Sequence, residues 1–577
     1  MLSGAICLAA LLFLEPWAFL LLFTIAAVAF GILVYFHRKV RRSSAQTTIW
    51  LSWAKTQLAR STLDWTHIPA KAAENPTPLE TDFDLVGRQS VHQLLDTAVS
   101  KGGSGRLREW LANDLPELTE IQRRQALVRE LVADKMLRGR LNLRARLAAD
   151  QAQESQWSTA ELLEWLNKNQ TSSNLRWLVM VLGLLAVVNL ILMALNLMGV
   201  MGSWWQLSLG LYVLLSVSQA SKIGDTFQQA ATLRDMIERL TGVFQLLETH
   251  AYRKQPRLKE LCQPFLEQTT KPSHFLRRVG RVVNATSLRG NPPLWLALNF
   301  IGPWDYYFSY RLEQYKREIV HRLPVWLEVW FEVEALSSLA NFAYLHPQYT
   351  FPELAESAET PYLAAVQLGH PLIPEAAKVC NDLEIDQLPF LGIITGSNMA
   401  GKSSFLRTVG INLLLAYAGG VVNAQTLTAR PLRLFSCIRV ADSVIDGISY
   451  FYAEVKRLKT LLEELEKDDP RPLFFFIDEI FRGTNNRERL QGRRAYLRAV
   501  AQKSGIGLIS THDLELVTLA DEISQAVNYH FREEVQDGRM VFDYTLRSGP
   551  CPTTNALRIM ALEGLPVADG KLENETV

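Results

Sequence analysis

The chain has 577 residues, which predicts several domains because a typical domain has ~150 residues. Its 60 Lys and Arg almost balance its 59 Asp and Glu, so no strong overall field favours nucleic acid or an acidic partner. Apolar residues make up 48% and charged residues 21%, which excludes a disordered, collagen-like or disulfide-stapled chain. The five cysteines lie too far apart for a zinc or redox motif and indicate structural thiols in a reducing compartment.

The first apolar block covers residues 1–36. Its only charge is Glu15, and Trp17–Phe36 is long enough to cross a ~30 Å hydrocarbon core as a helix. A basic cluster at residues 37–42 follows, and the positive-inside rule places it on the cytoplasmic side. A cleaved signal peptide is the alternative. No basic region precedes the run and no clear cleavage site follows it, which favours an uncleaved anchor.

The second apolar block, Trp177–Ser221, contains no charged residue. Its length suits two helices, Trp177–Leu197 and Trp204–Ser221, joined by a turn at Met198–Ser203. Such a run predicts a hairpin through the bilayer, because each helix satisfies its own backbone hydrogen bonds. A buried hairpin of a soluble protein is the alternative, although soluble core helices rarely lack charge on every face. Three or four spans in all predict a multi-pass protein of the inner cell membrane, in contact with membrane lipid.

The remaining chain changes character near residue 355. Residues 43–176 and 222–354 show apolar residues at helical spacing and are expected to be helical. From residue 355 onward, short apolar runs such as Leu391–Thr395, Leu473–Ile477 and Gly507–Ser510 alternate with helical stretches. This alternation predicts a parallel α/β domain.

The first of these runs leads into a phosphate-binding loop of the form G-x-x-x-x-G-K-S. Its glycines let backbone N–H groups and the following helix N-terminus face phosphate oxygens. Lys402 is expected to hold the β- and γ-phosphates of ATP, and the Ser403 hydroxyl to bind Mg²⁺. The predicted nucleotide-binding residues are Gly396, Ser397, Asn398, Met399, Ala400, Gly401, Lys402, Ser403 and Ser404.

The second run ends in the acidic pair Asp478-Glu479. Asp478 is expected to hold Mg²⁺ and Glu479 to polarise the attacking water. The pair lies 76 residues after Lys402, a spacing that suits neighbouring strands of one sheet. The third run leads into Thr511-His512-Asp513, where His512 either contacts the γ-phosphate or simply caps a loop.

Three segments closely resemble the ATPase domain of the MutS DNA mismatch-repair family: Thr395–Thr408, Asp478–Thr484 and Ser510–Asp513. Gly369–Leu372 and Gly447–Phe451, which precedes a helix with Glu454, are similar to further motifs of the family. The resemblance implies a homodimer in which Ser449 acts in trans on the nucleotide of the facing subunit. Upstream segments, Asp82–Leu85, Leu107–Leu111 and Arg124–Val128, resemble the helical core and lever region of the family.

Two departures from the family pattern shape the expected function. The stretch before residue 80 is too short for the family's mismatch-reading N-terminal domain, and the apolar hairpin interrupts the lever region. The resemblance therefore implies a membrane-anchored branch that hydrolyses ATP with Mg²⁺. Coupling to DNA, mismatched or branched, is expected from the resemblance. Arg277, Arg278 and Arg281, with Arg289, form a basic patch that suits DNA phosphates. A solvated helix face and a surface near anionic lipid are the alternatives.

The predicted fold class is an α plus α/β membrane protein with a C-terminal P-loop ATPase domain on the cytoplasmic side. Its expected parts are an anchor (1–42), two helical core and lever segments (43–176 and 222–354) around a transmembrane hairpin (177–221), and the ATPase domain (355–577). The alternatives are an ABC-transporter-like ATPase, a P-loop kinase, a nucleotide-binding scaffold and an ATP-driven membrane switch that does not bind DNA. The Leu-Ser-Gly-Gly-Gln signature of ABC transporters is absent between Lys402 and Asp478.

Overall fold

A computed structural model describes residues 16–551, except 73, 115–116, 150–174, 220–236, 238–239, 268–270, 287–291, 398, 440–449, 482–485 and 537–538. Before residue 350, the regular secondary structure of the described residues is helical, and this includes residues 240–249. The helices are α1 Pro16–Thr62, α2 Pro78–Asp82, α3 Val91–Leu95, α4 Lys101–Leu111, α5 Leu118–Ala133, α6 Lys135–Ala149, α7 Leu175–Leu197, α8 Trp205–Gln219, α9 Pro256–Leu261, α10 Gln263–Leu266, α11 Pro272–Thr286, α12 Pro292–Ile301, α13 Trp304–Ile319 and α14 Leu323–Leu345.

Local sequence signals explain where several of these helices start. Thr77 caps α2, its hydroxyl accepting from the Glu80 N–H at 3.2 Å while Glu80 accepts from the Thr77 N–H at 2.8 Å. Ser90 and Ser100 cap α3 and α4 in the same way through their hydroxyls. Helix α14 is buried along most of its length and is the central helix on which α4 and α5 pack.

The chain after residue 350 forms two main sheets and a two-stranded ribbon. Its strands are β1 Glu353–Leu354, β2 Leu363–Leu368, β3 Asn381–Ile385, β4 Phe390–Thr395, β5 Thr426–Ala429, β6 Arg433–Cys437, β7 Leu473–Asp478, β8 Gly505–Ser510, β9 Ala526–His530, β10 Glu533–Gln536, β11 Arg539–Phe542 and β12 Arg547–Ser548. Its helices are α15 Lys402–Ala418, α16 Tyr450–Leu465, α17 Asn486–Ala501 and α18 Leu519–Glu522.

The six-stranded sheet has the order β12-β9-β4-β8-β7-β6, in which β12 alone runs antiparallel. Strands β4, β7 and β8 are buried at every residue, which explains their continuous apolar sequences. The expectation that the strands before the phosphate loop and before the acidic pair are neighbours is wrong. Strand β8 pairs with both and lies between them, because the chain returns to the sheet centre after β7. The carboxyl ends of β4, β7 and β8 therefore meet at one edge.

A buried carboxylate joins the helical part to the sheet. Asp82, at the end of α2, is fully buried. It accepts hydrogen bonds from the backbone N–H groups of Ile438 and Arg439, at 3.1 and 2.7 Å, and from the Arg457 guanidinium of α16 at 2.6 Å. Next to it, the Phe83 ring packs edge-on against Phe476 of β7 at 5.3 Å. The segment 82–83 thereby fixes the α/β part against the helices that precede it.

The membrane fold class predicted from the apolar runs is wrong. Among the described residues, two helices have the length and composition of a span, Leu21–Thr62 and Leu175–Leu197. A signal sequence or a core helix of a soluble protein meets the same criterion, and Met1–Leu14 lies outside the described residues. Helix α8 is described over Trp205–Gln219 and is a shorter apolar helix than those two.

Part of each hairpin arm packs on neighbouring helices. Leu182 and Ala186 of α7, Tyr212 of α8 and Tyr306 of α13 form a small buried cluster. The Tyr212 hydroxyl donates to the Asn299 carbonyl of α12 at 2.7 Å. The apolar run of 45 residues predicts contact with lipid. In the structure, the residues of this cluster bury part of the run by packing one helix against another.

Candidate functional site

The loop after β4 has the backbone shape that a phosphate group needs. Gly396 and Gly401 have φ angles of 140° and 104°, in the range that favours glycine. A Cβ atom at Gly396 would lie 2.8 Å from the Phe531 carbonyl oxygen, so a larger residue has no room there. Helix α15 starts at Lys402, immediately after the loop, and its N-terminal N–H groups face the loop.

The Lys402 side chain lies along this loop and is buried. Its ammonium group donates to the carbonyl oxygens of Gly396 and Ser397, at 2.8 and 2.7 Å. These contacts hold a positive charge at the mouth of the loop, where an anionic ligand would compete for it.

Two hydroxyl groups and one carboxylate meet where β4, β7 and β8 end. The Ser403 hydroxyl lies 2.8 Å from each Asp478 carboxylate oxygen, and the Ser510 hydroxyl donates to the same carboxylate. A hydroxyl and a carboxylate are hard oxygen ligands of the kind that Mg²⁺ binds when phosphate and water complete its shell. No group of three or more His, Cys, Asp or Glu that could hold a metal occurs among the described residues.

Glu479 and His512 form the next pair along the same edge. The His512 Nδ1 atom lies 3.0 Å from Glu479 Oε1. Glu479 keeps 17% of its side-chain surface exposed and His512 40%, so both reach the open side of the site. The sequence placed His512 near a γ-phosphate or at a loop cap, and the structure places it beside the predicted water-activating carboxylate.

A cavity of about 490 Å³ opens in front of the loop. Lys402, Ser403 and Glu479 are among the polar residues that line it, and Val379 and the Tyr544 ring add apolar surface. The Tyr544 ring lies over Gly401, 3.0 Å from where a Cβ atom at that glycine would stand. This volume and this mixed polar and apolar lining suit a ligand that carries both phosphates and a flat ring.

Two buried polar residues shape the cavity wall. Asn381 donates to the Tyr544 carbonyl at 3.0 Å and accepts from the Leu546 N–H at 2.6 Å, which fixes the segment that carries the ring. His370 lines the cavity, and its Nδ1 accepts from the Leu372 N–H at 3.2 Å. Burial lowers the pKa of His370 to about 4, so the imidazole is neutral at physiological pH.

The structure brings most predicted site residues together at this edge. The loop residues, Ser404, Asp478, Glu479 and His512 all lie around the ends of β4, β7 and β8. Asn398 and Ser449 lie outside the described residues.

Other residues of the site were not predicted. Ser510 stood in a recognised motif, but nothing in the sequence indicated its bond to Asp478. Tyr544 and Asn381 come from segments far apart in the chain, and only the fold brings them to the loop.

Comparison with known proteins matches residues 392–570 to the family model of MutS domain V. The chain is similar to a DNA mismatch repair protein MutS from Aquifex pyrophilus, with 32% identity over 41% of this chain and 27% of that protein. It is 28% identical to a DNA mismatch repair protein MutS from Staphylococcus haemolyticus, over 45% of this chain and 29% of the relative. A DNA mismatch repair protein MutS 2 from Haloarcula marismortui is 32% identical over 31% of this chain and 19% of its own length. The matched part thus spans about a quarter of the relatives' length.

These matches also correct the predicted location. The relatives are named as DNA mismatch repair proteins, and the chain has only two apolar helices of spanning length among its described residues. The prediction of a multi-pass protein in the inner cell membrane, in contact with membrane lipid, is therefore wrong. It relied chiefly on long uncharged runs, a property that packed helices share with spans.

Proposed function

Because this chain belongs to the MutS family through the domain at residues 392–570, we propose that it binds and hydrolyses ATP with Mg²⁺. The observation that carries the proposal is the meeting of Ser403 with Asp478, at 2.8 Å, beside the phosphate loop. This is where a P-loop ATPase holds Mg²⁺, which neutralises charge on the β- and γ-phosphates when bound. Ser403 and Asp478 would hold the ion.

Each remaining side chain has a role that its position supports. Lys402 leaves the loop carbonyls and binds the β- and γ-phosphates. Glu479 orients a water molecule toward the γ-phosphorus and takes its proton as the new P–O bond forms and the bond to the β–γ bridging oxygen breaks, leaving ADP and phosphate. His512 bonds to Glu479 and holds its carboxylate in place. The adenine base lies against the Tyr544 ring.

Binding and hydrolysis assays on the purified protein test this proposal. The wild-type chain should bind a fluorescent ATP analogue and hydrolyse ATP in a Mg²⁺-dependent way. Lys402→Ala should lose binding, because it removes the charge that contacts two phosphates. Lys467→Ala, which removes an exposed lysine paired with Glu464, is the matched control and should behave as wild type. Nucleotide binding that is equal in wild type and Lys402→Ala contradicts the proposal.

The proposal extends to two partners. A second copy of the chain completes the site, with Ser449 acting on the facing subunit's nucleotide, as the family resemblance implies. DNA is the second partner, and the relatives' names as DNA mismatch repair proteins support it. Helix α11 buries Phe275 and Val279 while it exposes a basic face of Arg277, Arg278 and Arg281, which suits phosphate contacts.

Turnover measured with and without DNA tests the second partner. Duplex, branched and mismatched DNA should each be added to the wild-type protein and to a variant with Arg277, Arg278 and Arg281 changed to Ala. Stimulation that falls in the variant and weakens with salt supports DNA binding through this face. Turnover that no DNA changes contradicts it and leaves an ATP-driven switch with another partner.

A further inference from the structure

The turn that carries Glu479 has a backbone shape that its residues disfavour. Glu479 and Phe481 have φ angles of 59° and 55°, in the left-handed region. Side chains with a Cβ atom rarely occupy this region, and bulky ones least of all. Residues held there persist only where the surroundings fix them, and such residues concentrate at active sites.

Three hydrogen bonds fix this turn, one at the peptide group before Glu479 and two at the peptide group between Ile480 and Phe481. The Glu479 N–H donates to the Ser510 carbonyl at 3.1 Å, as a continuation of the sheet. The Ile480 carbonyl accepts from the Arg493 guanidinium at 2.6 Å, and the Phe481 N–H donates to the Glu454 carboxylate at 2.6 Å. The last two bonds come from side chains of other helices, so the sheet alone does not determine the turn.

Both of these side chains are charged and almost completely buried. Glu454 of α16 is 2% exposed and Arg493 of α17 is 1% exposed. Burying an ionised group is costly unless it is well hydrogen-bonded, and an apolar residue would fill the same space at less cost. Their bonds to the turn are therefore a specific reason for a carboxylate and a guanidinium at these two positions.

Arg493 also links the turn to the neighbouring loop. Its guanidinium donates to the Asp513 carboxylate at 3.2 Å, directly after His512. His512 in turn bonds to Glu479 at 3.0 Å. One side chain thus fixes the spacing of the two loops that carry the pair.

We propose that Glu454 and Arg493 are positioning residues, which hold the left-handed turn 479–481 so that the Glu479 carboxylate faces the attacking water. This rests on the ATPase function proposed above. Neither residue touches substrate in this account. Loss of either should therefore lower kcat for ATP hydrolysis and leave ATP affinity, which the phosphate loop sets, unchanged.

The first test is Glu454→Ala. We expect kcat to fall between about 10- and 100-fold, the range for a misplaced catalytic group, with the Kd for ATP within about twofold of wild type. Glu463→Ala, which removes an exposed glutamate from the same helix, is the matched control and should keep wild-type turnover. Glu454→Gln retains an oxygen that can accept from the Phe481 N–H and should keep most of the activity.

A second-site variant separates positioning from a general structural role. Phe481→Gly removes the side chain that makes the left-handed conformation costly. If Glu454 acts by holding that conformation, Glu454→Ala with Phe481→Gly should turn over faster than Glu454→Ala alone. If Glu454 is only a core residue, the glycine removes ring contacts with Phe451 and Tyr496 as well and should lower activity further.

The results distinguish this inference from the function on which it rests. A wild-type protein without ATP turnover overturns both. If the wild type is active and Glu454→Ala has the same kcat, the positioning role is overturned. It is also overturned if Glu454→Ala and Glu454→Gln lose kcat equally and Phe481→Gly does not restore it. If Glu454→Ala does not fold, Arg493→Lys carries the test. It keeps the charge but not the fork that reaches both Ile480 and Asp513, so unchanged kcat there overturns the proposal.

Discussion

Glu334 of α14 is a buried carboxyl group whose replacement should stabilise the protein at alkaline pH. It accepts hydrogen bonds from the N–H groups of Val99 and Ser100, each at 3.3 Å, and from the Ser100 hydroxyl. Complete burial raises its pKa from 4.5 to about 7, and the negative charge of Asp96 adds to this effect. The folded state therefore favours the protonated form.

The sign of the pH effect follows from this raised pKa. Below pH 4.5 the carboxyl is protonated in both states, and its contribution to stability is fully present. Above pH 4.5 the unfolded state ionises while the folded state keeps its proton, so the contribution shrinks and is lost once the pH has risen through about 7. With about 1.36 kcal/mol per pKa unit, the stability lost relative to low pH is about 1 kcal/mol at pH 5 and about 3 kcal/mol at pH 8.

Glu334→Gln mimics the protonated form at every pH, so its advantage over wild type should grow between pH 5 and pH 8. If all 577 residues unfold together, the unfolding entropy is about 1.2 kcal/mol/K, and about 3 kcal/mol corresponds to roughly 2–3 °C in Tm. Calorimetry of both proteins at several pH values measures this difference. Glu328→Gln, at an exposed position of the same helix, is the control. A difference in Tm between wild type and Glu334→Gln that does not change with pH refutes the reasoning.

Three further predictions concern the domain junction, the base and the dimer. Asp82→Ala should lower the free energy of unfolding by about 3–5 kcal/mol, because it leaves buried donors without their acceptor. Asp64→Ala, at an exposed position, is the control and should change it little. Equal denaturation curves for wild type and Asp82→Ala would contradict this. Tyr544→Ala should weaken ATP binding about tenfold through lost stacking and leave kcat unchanged, and an unaltered Kd would remove the ring from the site. When Lys402→Ala and Ser449→Ala chains are mixed, heterodimers with one intact site should form, and turnover should exceed that of either homodimer alone. A mixture no more active than the better homodimer, despite proven subunit exchange, would exclude the trans role of Ser449.

The order of the sequence motifs was sufficient to predict that the phosphate loop and the acidic pair meet at one edge of a sheet. The phosphate loop and the acidic pair each follow a buried strand, and parallel strands bring such ends to one edge. Which strands are neighbours was not predictable, because the chain gives spacing along the sequence and not the order in the sheet. Ser510 therefore emerged as a partner of Asp478 only when β8 was seen between β4 and β7.

Long-range contacts were equally inaccessible from the sequence. Tyr544 reaches the loop because Asn381 holds its backbone, and the two residues are 163 positions apart. For the apolar hairpin, the sequence predicted contact with lipid that the structure contradicts. Hydropathy reports how a segment is composed and not what packs on it, so the contact between Tyr212 and α12 had no signal in the sequence. Left-handed φ angles at Glu479 and Phe481 were likewise invisible, since neither residue type suggests them.

A comparison of wild type with Glu479→Gln tests the central claim most directly. Glutamine keeps the size of the side chain but cannot accept a proton from water, so single-turnover hydrolysis of bound ATP should slow by about 100-fold or more. Filter binding of radiolabelled ATP should give the same affinity in both proteins, because Lys402 and the phosphate loop are intact. Slow hydrolysis with intact binding confirms Glu479 as the water-activating group of a MutS-family ATPase. Equal single-turnover rates in the two proteins would contradict the account.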